Sequence, residues 1–232
     1  MKKRFWEIDF LRGFAIINMI LFNYSFALRY LGIISHDLGI EYAVAIASTF
    51  IFISGISMTL MRDRSFKRFL SRGLGIFAWG MVITAVTFFA FPEAFIIFGI
   101  LHFIGISIIL GYFFLNFKNL NLVLGILIFI LGLYMQNFRL DFPWLLWLGL
   151  APHTFYTFDY FPIFPWFGLT LIGIYFGNTY YENGKRNFTI KDISGNPLVR
   201  GMTFLGRNSL KIYLLHQPLL VIILLLLGFK LF

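Results

Sequence analysis

The groups best suited to chemistry lie in or beside apolar runs: Asn23 in "LFNY", His102 in "FGILHFIGIS", and Asp159 with Tyr160 in "DYFPIFPWFG". An amide, an imidazole, a carboxylate and a phenol supply proton transfer and oxyanion stabilisation, which are the needs of acyl transfer. Ser209, Tyr213 and His216 recur at i, i+4 and i+7 in "LGRNSLKIYLLHQPLL" and share one helical face. His36 and His153 fall in connections, His36 beside Asp37 and near Glu41. A single buried histidine serves equally well as a hydrogen-bonded packing residue. There is no cysteine, which excludes disulfides and thiolate chemistry. No HExxH, Walker A or GxSxG motif occurs, and no spacing of metal ligands is convincing.

Asp9, Arg12 and Asn23 form a second constellation. At about 100° per residue, the step from Arg12 to Asn23 returns to within about 20° and that from Asp9 to within about 40°. The three therefore lie on one stripe of a helix, with Asn23 about 16 Å beyond Arg12 along the axis. An intramembrane ionisable residue faces the bundle interior or a wet cavity, so this stripe is expected to line the inside. Asp9 and Arg12 at i, i+3 serve equally as an ion pair that anchors a helix end.

The elements that hold these groups follow from composition. With 59% hydrophobic, 21% aromatic and 12% charged residues, the chain has too little polar surface to cover a water-soluble globule. It reads as an all-α, polytopic membrane helical bundle, a single domain over 1–232. Seven runs are of spanning length: 8–30, 42–61, 74–91, 95–115, 120–136, 163–180 and 208–230. Residues 142–150, "FPWLLWLGL", are too few to span and read as a re-entrant or interfacial helix. The basic residues before the first run precede no small-residue cleavage site, so that run reads as an uncleaved span.

Cations set the orientation. With the N-terminus in the cytoplasm, one side collects Lys2, Lys3 and Arg4, the group Arg62 to Arg72, Lys118, and Lys185 to Arg200; the other receives Arg29, Arg139 and Lys230. That asymmetry places the C-terminus outside and the protein in the cell membrane as a multi-pass chain. The net charge of +9 is then a topology signal or a surface for an anionic ligand or lipid. Nucleic acid is a poor partner, because no soluble basic domain exists to hold it.

The opening "RFWEIDFLRGFAIINMILFNY", with "FGILHFIGIS", "DYFPIFPWFG" and "LGRNSLKIYLLHQPLL", resembles prokaryotic membrane proteins grouped with the catalytic domain of heparan-alpha-glucosaminide N-acetyltransferase. The first and last motifs are also similar to those of the wider superfamily of integral-membrane acyltransferases. The resemblance implies transfer of an acetyl or other acyl group from cytosolic acyl-CoA to an extracytoplasmic sugar amine or hydroxyl. It implies Asn23 and His36 as a catalytic pair, with no metal, and a homodimer as a possible assembly.

On that reading the acyl-CoA phosphates meet Arg68 and Arg72, or Arg207, whose forks suit phosphate. The pantetheine passes Asp9 and Arg12, with Ser209 and His216 as further contacts, and the thioester ends beside Asn23 and His102. His36 or His102 takes the acceptor's proton, Asn23 donates to the oxyanion, and Asp159 completes the catalytic set. Two other classes compete: a transporter using Asp9, His102 and His216 as a relay, and a scaffold whose buried polar groups join helices. Binding of CoA separates acyl transfer from both.

Overall fold

A computed structural model describes residues 4–226 and 228, and the described chain is all-α. Among the described residues eight α-helices come in order: α1 (Trp6–Tyr30), α2 (Ile40–Thr59), α3 (Phe66–Ala90), α4 (Ile100–Gly111), α5 (Lys118–Met135), α6 (Ile163–Tyr180), α7 (Pro197–Arg207) and α8 (Ser209–Leu226). α1, α2, α3 and α5 are long and apolar enough to cross a membrane, while α4 and α8 are shorter apolar helices. Each expected run contains a helix. Lys2, Lys3 and Lys230, and the end of the 208–230 run, lie outside the described residues.

The departures from the apolar runs have physical causes. α3 starts at Phe66, so Lys67, Arg68 and Arg72 ride on its first turns; a helix continues past the point where apolar side chains stop. α4 starts later than its run because the segment before it pairs with the chain leading into α6. Phe158 and Phe161 donate backbone N–H groups to the carbonyls of Ala94 (3.1 Å) and Phe98 (2.9 Å), and the Thr157 hydroxyl donates to Phe95 (2.7 Å). Residues 142–150, read as a re-entrant or interfacial helix, hold one short 3₁₀ turn, Leu146–Leu148. They sit between two strands, β1 (Arg139–Leu140) and β2 (Ala151–Pro152), which pair in parallel with Arg139 opposite Ala151. Within α6, Phe164 is extended (ψ 127°), as the residue before Pro165 must be.

The chain forms two compact units, one built from residues up to Phe50 and from Ile190 onward, the other from Ile51–Thr189. In the first, Ile16, Met19 and Ile46 form a core flanked by Tyr42, Leu205, Ile212 and Tyr213. α7 was not evident among the apolar runs. It starts with Asn196, whose Oδ1 accepts the Leu198 N–H at 2.9 Å, and with Pro197 in its first turn. It buries Val199, Thr203 and Gly206. A Cβ on Gly13 would run into the Met202 carbonyl, and one on Gly206 into the Asp9 carbonyl, so α1 and α7 meet backbone to backbone. Gly206→Ala should force them apart and lower stability by about 1–3 kcal/mol. A fall in the melting temperature in detergent is the measurement; an unchanged melt would refute the contact.

In the second unit, Phe69, Phe103, Trp166, Phe167, Leu171 and Ile174 belong to one buried cluster. α5 and α6 approach through Gly125 and Gly168, where an added Cβ on either would strike the other's carbonyl. With lipid rather than water outside, such close packing and hydrogen bonding replace much of the hydrophobic drive that would join helices in a soluble protein.

Candidate functional site

Within the first unit, Asp9 is buried and accepts from two guanidiniums: Arg12 Nη1 on Oδ1 and Arg207 Nε on Oδ2, each at 3.1 Å. The sequence offered Arg12 as the partner; Arg207 is added by the α1–α7 contact. Two cations thus converge on one carboxylate, and both Arg side chains stay partly exposed.

Farther along α1, half-buried Asn23 returns one amide N–H to the Met19 carbonyl (2.9 Å). Its Oδ1 accepts from Gln217 Nε2 on α8 at 2.9 Å. Gln217 was missed by sequence reasoning, although its place beside His216 in "LLHQPLL" was the available signal. The pair orients the carboxamide and leaves its second N–H unassigned.

The loop bearing His36 is tied back to α1: Leu38 N–H donates to Ser25 Oγ (3.2 Å), and Arg29 Nη1 meets Asp37 Oδ2 at 2.7 Å. Asp37 also caps Gly39, and these contacts, Arg29 first, hold its carboxyl below the ordinary range. His36 itself is exposed. His216 is buried; its Nδ1–H donates to the Tyr213 carbonyl at 2.5 Å, while Nε2 has no partner among the described residues. Ser209, half-buried, opens α8.

In the second unit, His102 is the third residue of α4 rather than well inside it, and it is 1% exposed. Its Nδ1 accepts the Gly99 N–H at 3.1 Å, which leaves the ring proton on Nε2, 3.3 Å from Thr84 Oγ1. The Thr84 hydroxyl donates to the Ile96 carbonyl at 2.6 Å. Phe77 meets the ring edge-on, Phe98 stacks on it, and Gly80 gives it space. Nδ1 thus serves the start of α4, and Nε2 ties that start to α3. Thr84 was not singled out by sequence.

Asp159, in the connection before α6, accepts the Ile100 N–H at 2.9 Å and so sits at the positive end of α4. Loss of water outweighs that bond and lifts its carboxyl from 3.8 to about 6. The folded protein therefore binds this proton more tightly than the unfolded chain. Its contribution to stability is complete below about pH 4 and is lost as pH rises through about 6. Melting of the wild type across pH 4–7.5 should show this loss, and Asp159→Asn should flatten that part of the profile. Equal slopes would contradict it. The neighbouring Tyr160 donates to the Leu146 carbonyl at 2.7 Å, and burial raises its phenol to about 12.

Arg68 and Arg72 stand four apart at the start of α3, both exposed. No cluster of His, Cys, Asp and Glu able to hold a metal occurs among the described residues. Asn23, His36, Asp9, Arg12, Arg207, Ser209 and His216 belong to the first unit, and His102, Asp159, Arg68 and Arg72 to the second.

Residues 4–218 match the protein family described as "Heparan-alpha-glucosaminide N-acetyltransferase, catalytic". No curated protein and no solved structure matches the chain.

Proposed function

The chain belongs to the heparan-alpha-glucosaminide N-acetyltransferase catalytic family, and from that premise we propose a multi-pass membrane acyltransferase that takes an acetyl or other acyl group from cytosolic acyl-CoA to an extracytoplasmic sugar amine or hydroxyl. The observation that carries the reading is the extent of the match, which runs from the Asp9 cluster through His216. Arg12 and Arg207, held together by Asp9 and partly exposed, are assigned to the CoA phosphates. The exposed Arg68 and Arg72 are a separate pair suited to the same anion. Ser209 and His216 line the path assigned to the pantetheine.

The acceptor's amine or hydroxyl attacks the thioester carbonyl. A C–N or C–O bond forms as C–S breaks. His36, exposed and tethered beside the end of α1, takes the acceptor's proton and returns it to the departing CoA thiolate. Asn23, oriented by Gln217, offers its second N–H to the oxyanion. His102 is the weaker candidate for base, since its lone pair already accepts the Gly99 N–H. Asp159, with a carboxyl near 6, is available in both protonation states close to neutrality.

Calorimetric titration of the purified protein in detergent with CoA and acetyl-CoA tests the donor half directly. Saturable binding that weakens in Arg207→Ala supports the reading. No binding at millimolar CoA sinks it and leaves transporter or scaffold.

A further inference from the structure

α3 leaves one face uncovered along most of its length. Arg68, Arg72, Gly75, Trp79, Val82 and Val86 are all exposed and recur at steps of four and three, so they form one stripe, turned away from buried Phe69, Gly73 and Gly80. The stripe has two parts. Its first turns carry two guanidiniums, and the rest is apolar. Between the parts Gly75 leaves a notch, since a Cβ placed there would meet nothing within 4 Å.

The cations are not answered by the chain itself. Arg62, Arg64, Lys67, Arg68 and Arg72 crowd the start of the helix, the pattern that attracts anionic headgroups to the end of a span. Arg68 and Arg72 stand four apart, where like charges on a helix repel. Neither they nor Lys67 make an ion pair among the described residues. Asp63, the nearest carboxylate in sequence, accepts the Ser65 N–H at 2.9 Å, and Arg64 is engaged with the Thr59 carbonyl. An anion across Arg68 and Arg72 replaces their repulsion with charge-assisted hydrogen bonds.

The apolar part of the stripe selects the carrier of that anion. α3 is long and apolar enough to cross a membrane. Arg72 to Val82 is about 15 Å along the axis, half of a hydrocarbon core of about 30 Å. A phosphate on the two arginines therefore has one leaflet's depth of apolar surface beneath it. A second copy of the chain suits the face less well. Copies related by a twofold axis along the membrane normal would lay α3 beside α3 in the same direction, and Arg68 and Arg72 of both would meet.

We propose that this face of α3 binds an anionic phospholipid, with the headgroup phosphate on Arg68 and Arg72 and an acyl chain along Gly75, Trp79 and Val82. The proposal goes beyond the transfer reaction and does not depend on it, because it concerns binding alone.

The test is native mass spectrometry of the full chain in detergent with phosphatidylglycerol or phosphatidylcholine of the same acyl chains. Phosphatidylglycerol should be retained at least about tenfold more tightly, because the choline ammonium offsets the phosphate of the other lipid. Arg68→Gln combined with Arg72→Gln should abolish that preference. Lys191→Gln combined with Arg200→Gln, which removes two cations of the first unit, should leave it intact. Melting temperatures of both double variants confirm their folding. Equal retention of the two lipids, a preference unchanged in the first double variant, or equal losses in both overturns the proposal. Displacement of phosphatidylglycerol by equimolar glycerol 3-phosphate would show an anion site only, and displacement by acetyl-CoA would give the arginines to the acyl donor. A lipid-free dimer dissociated by Trp79→Ala would give the face to a second copy; each of these rejects the lipid. Failure to bind acetyl-CoA would remove the acyltransferase reading and leave this one untouched.

Discussion

His102→Ala should be the most damaging single change in the second unit, lowering stability by about 3–5 kcal/mol. The substitution removes a ring that is 1% exposed and packed by Phe77 and Phe98. It also leaves the Gly99 N–H without its side-chain partner and takes from the Thr84 oxygen the Nε2–H it accepts, while the Thr84 hydroxyl keeps its bond to Ile96. Buried polar groups deprived of a partner cost more than the bond had contributed. His102→Asn offers a control, because its Oδ1 can accept the Gly99 N–H and recover about 1 kcal/mol. Thermal melting in detergent measures both variants. If His102→Asn also restores acyl transfer, the ring acts by holding α4; if it restores stability alone, the imidazole has a chemical part. Equal melting of wild type and His102→Ala would contradict the packing described.

The largest effect on activity is expected at Asn23. Removing an oxyanion donor typically costs about 10²–10³-fold in turnover, and Asn23→Ala should lose acetyl transfer by that order. Its melting temperature should change little, since Asn23 is only half-buried, Gln217 is exposed, and the Met19 carbonyl belongs to the helix backbone. Gln217→Leu frees the carboxamide to rotate, so a smaller loss, about tenfold, should result with acetyl-CoA affinity preserved. Activity of Asn23→Ala close to wild type would remove Asn23 from the mechanism. A loss confined to KM would make it a binding group.

The sequence announced what depends on neighbours in the chain. Asp9 and Arg12 three residues apart make an ion pair, and the apolar run at 163–180 becomes α6 over the same residues. Partners from remote segments were out of reach: Arg207 closes on Asp9, and Gln217 on Asn23, across nearly the whole chain. α7 escaped because its apolar residues are interleaved with Arg200 and Arg207, so it has no run of spanning length; only Asn196-Pro197 marked it. α4 starts five residues inside the 95–115 run, which puts His102 in its first turn, because hydropathy cannot distinguish an apolar helix from an apolar extended segment. Phe95 to Gly99 are apolar, yet the carbonyls of Phe95 and Phe98 serve Thr157 and Phe161. Arg139 was read as a topology signal, and its pairing opposite Ala151 belongs to a two-residue ladder that no periodicity reveals.

The first unit joins residues before Phe50 to residues after Ile190, whereas the second is one continuous stretch. During synthesis the continuous stretch can complete its own contacts while the ribosome is still making α7 and α8. α1 is made first, yet Arg207 and Gln217 are made last, so Asp9 and Asn23 wait through most of translation for the groups that satisfy them. A chain that stalls before α7 leaves Asp9 with Arg12 alone and the Gly13 face of α1 without the backbone it packs against.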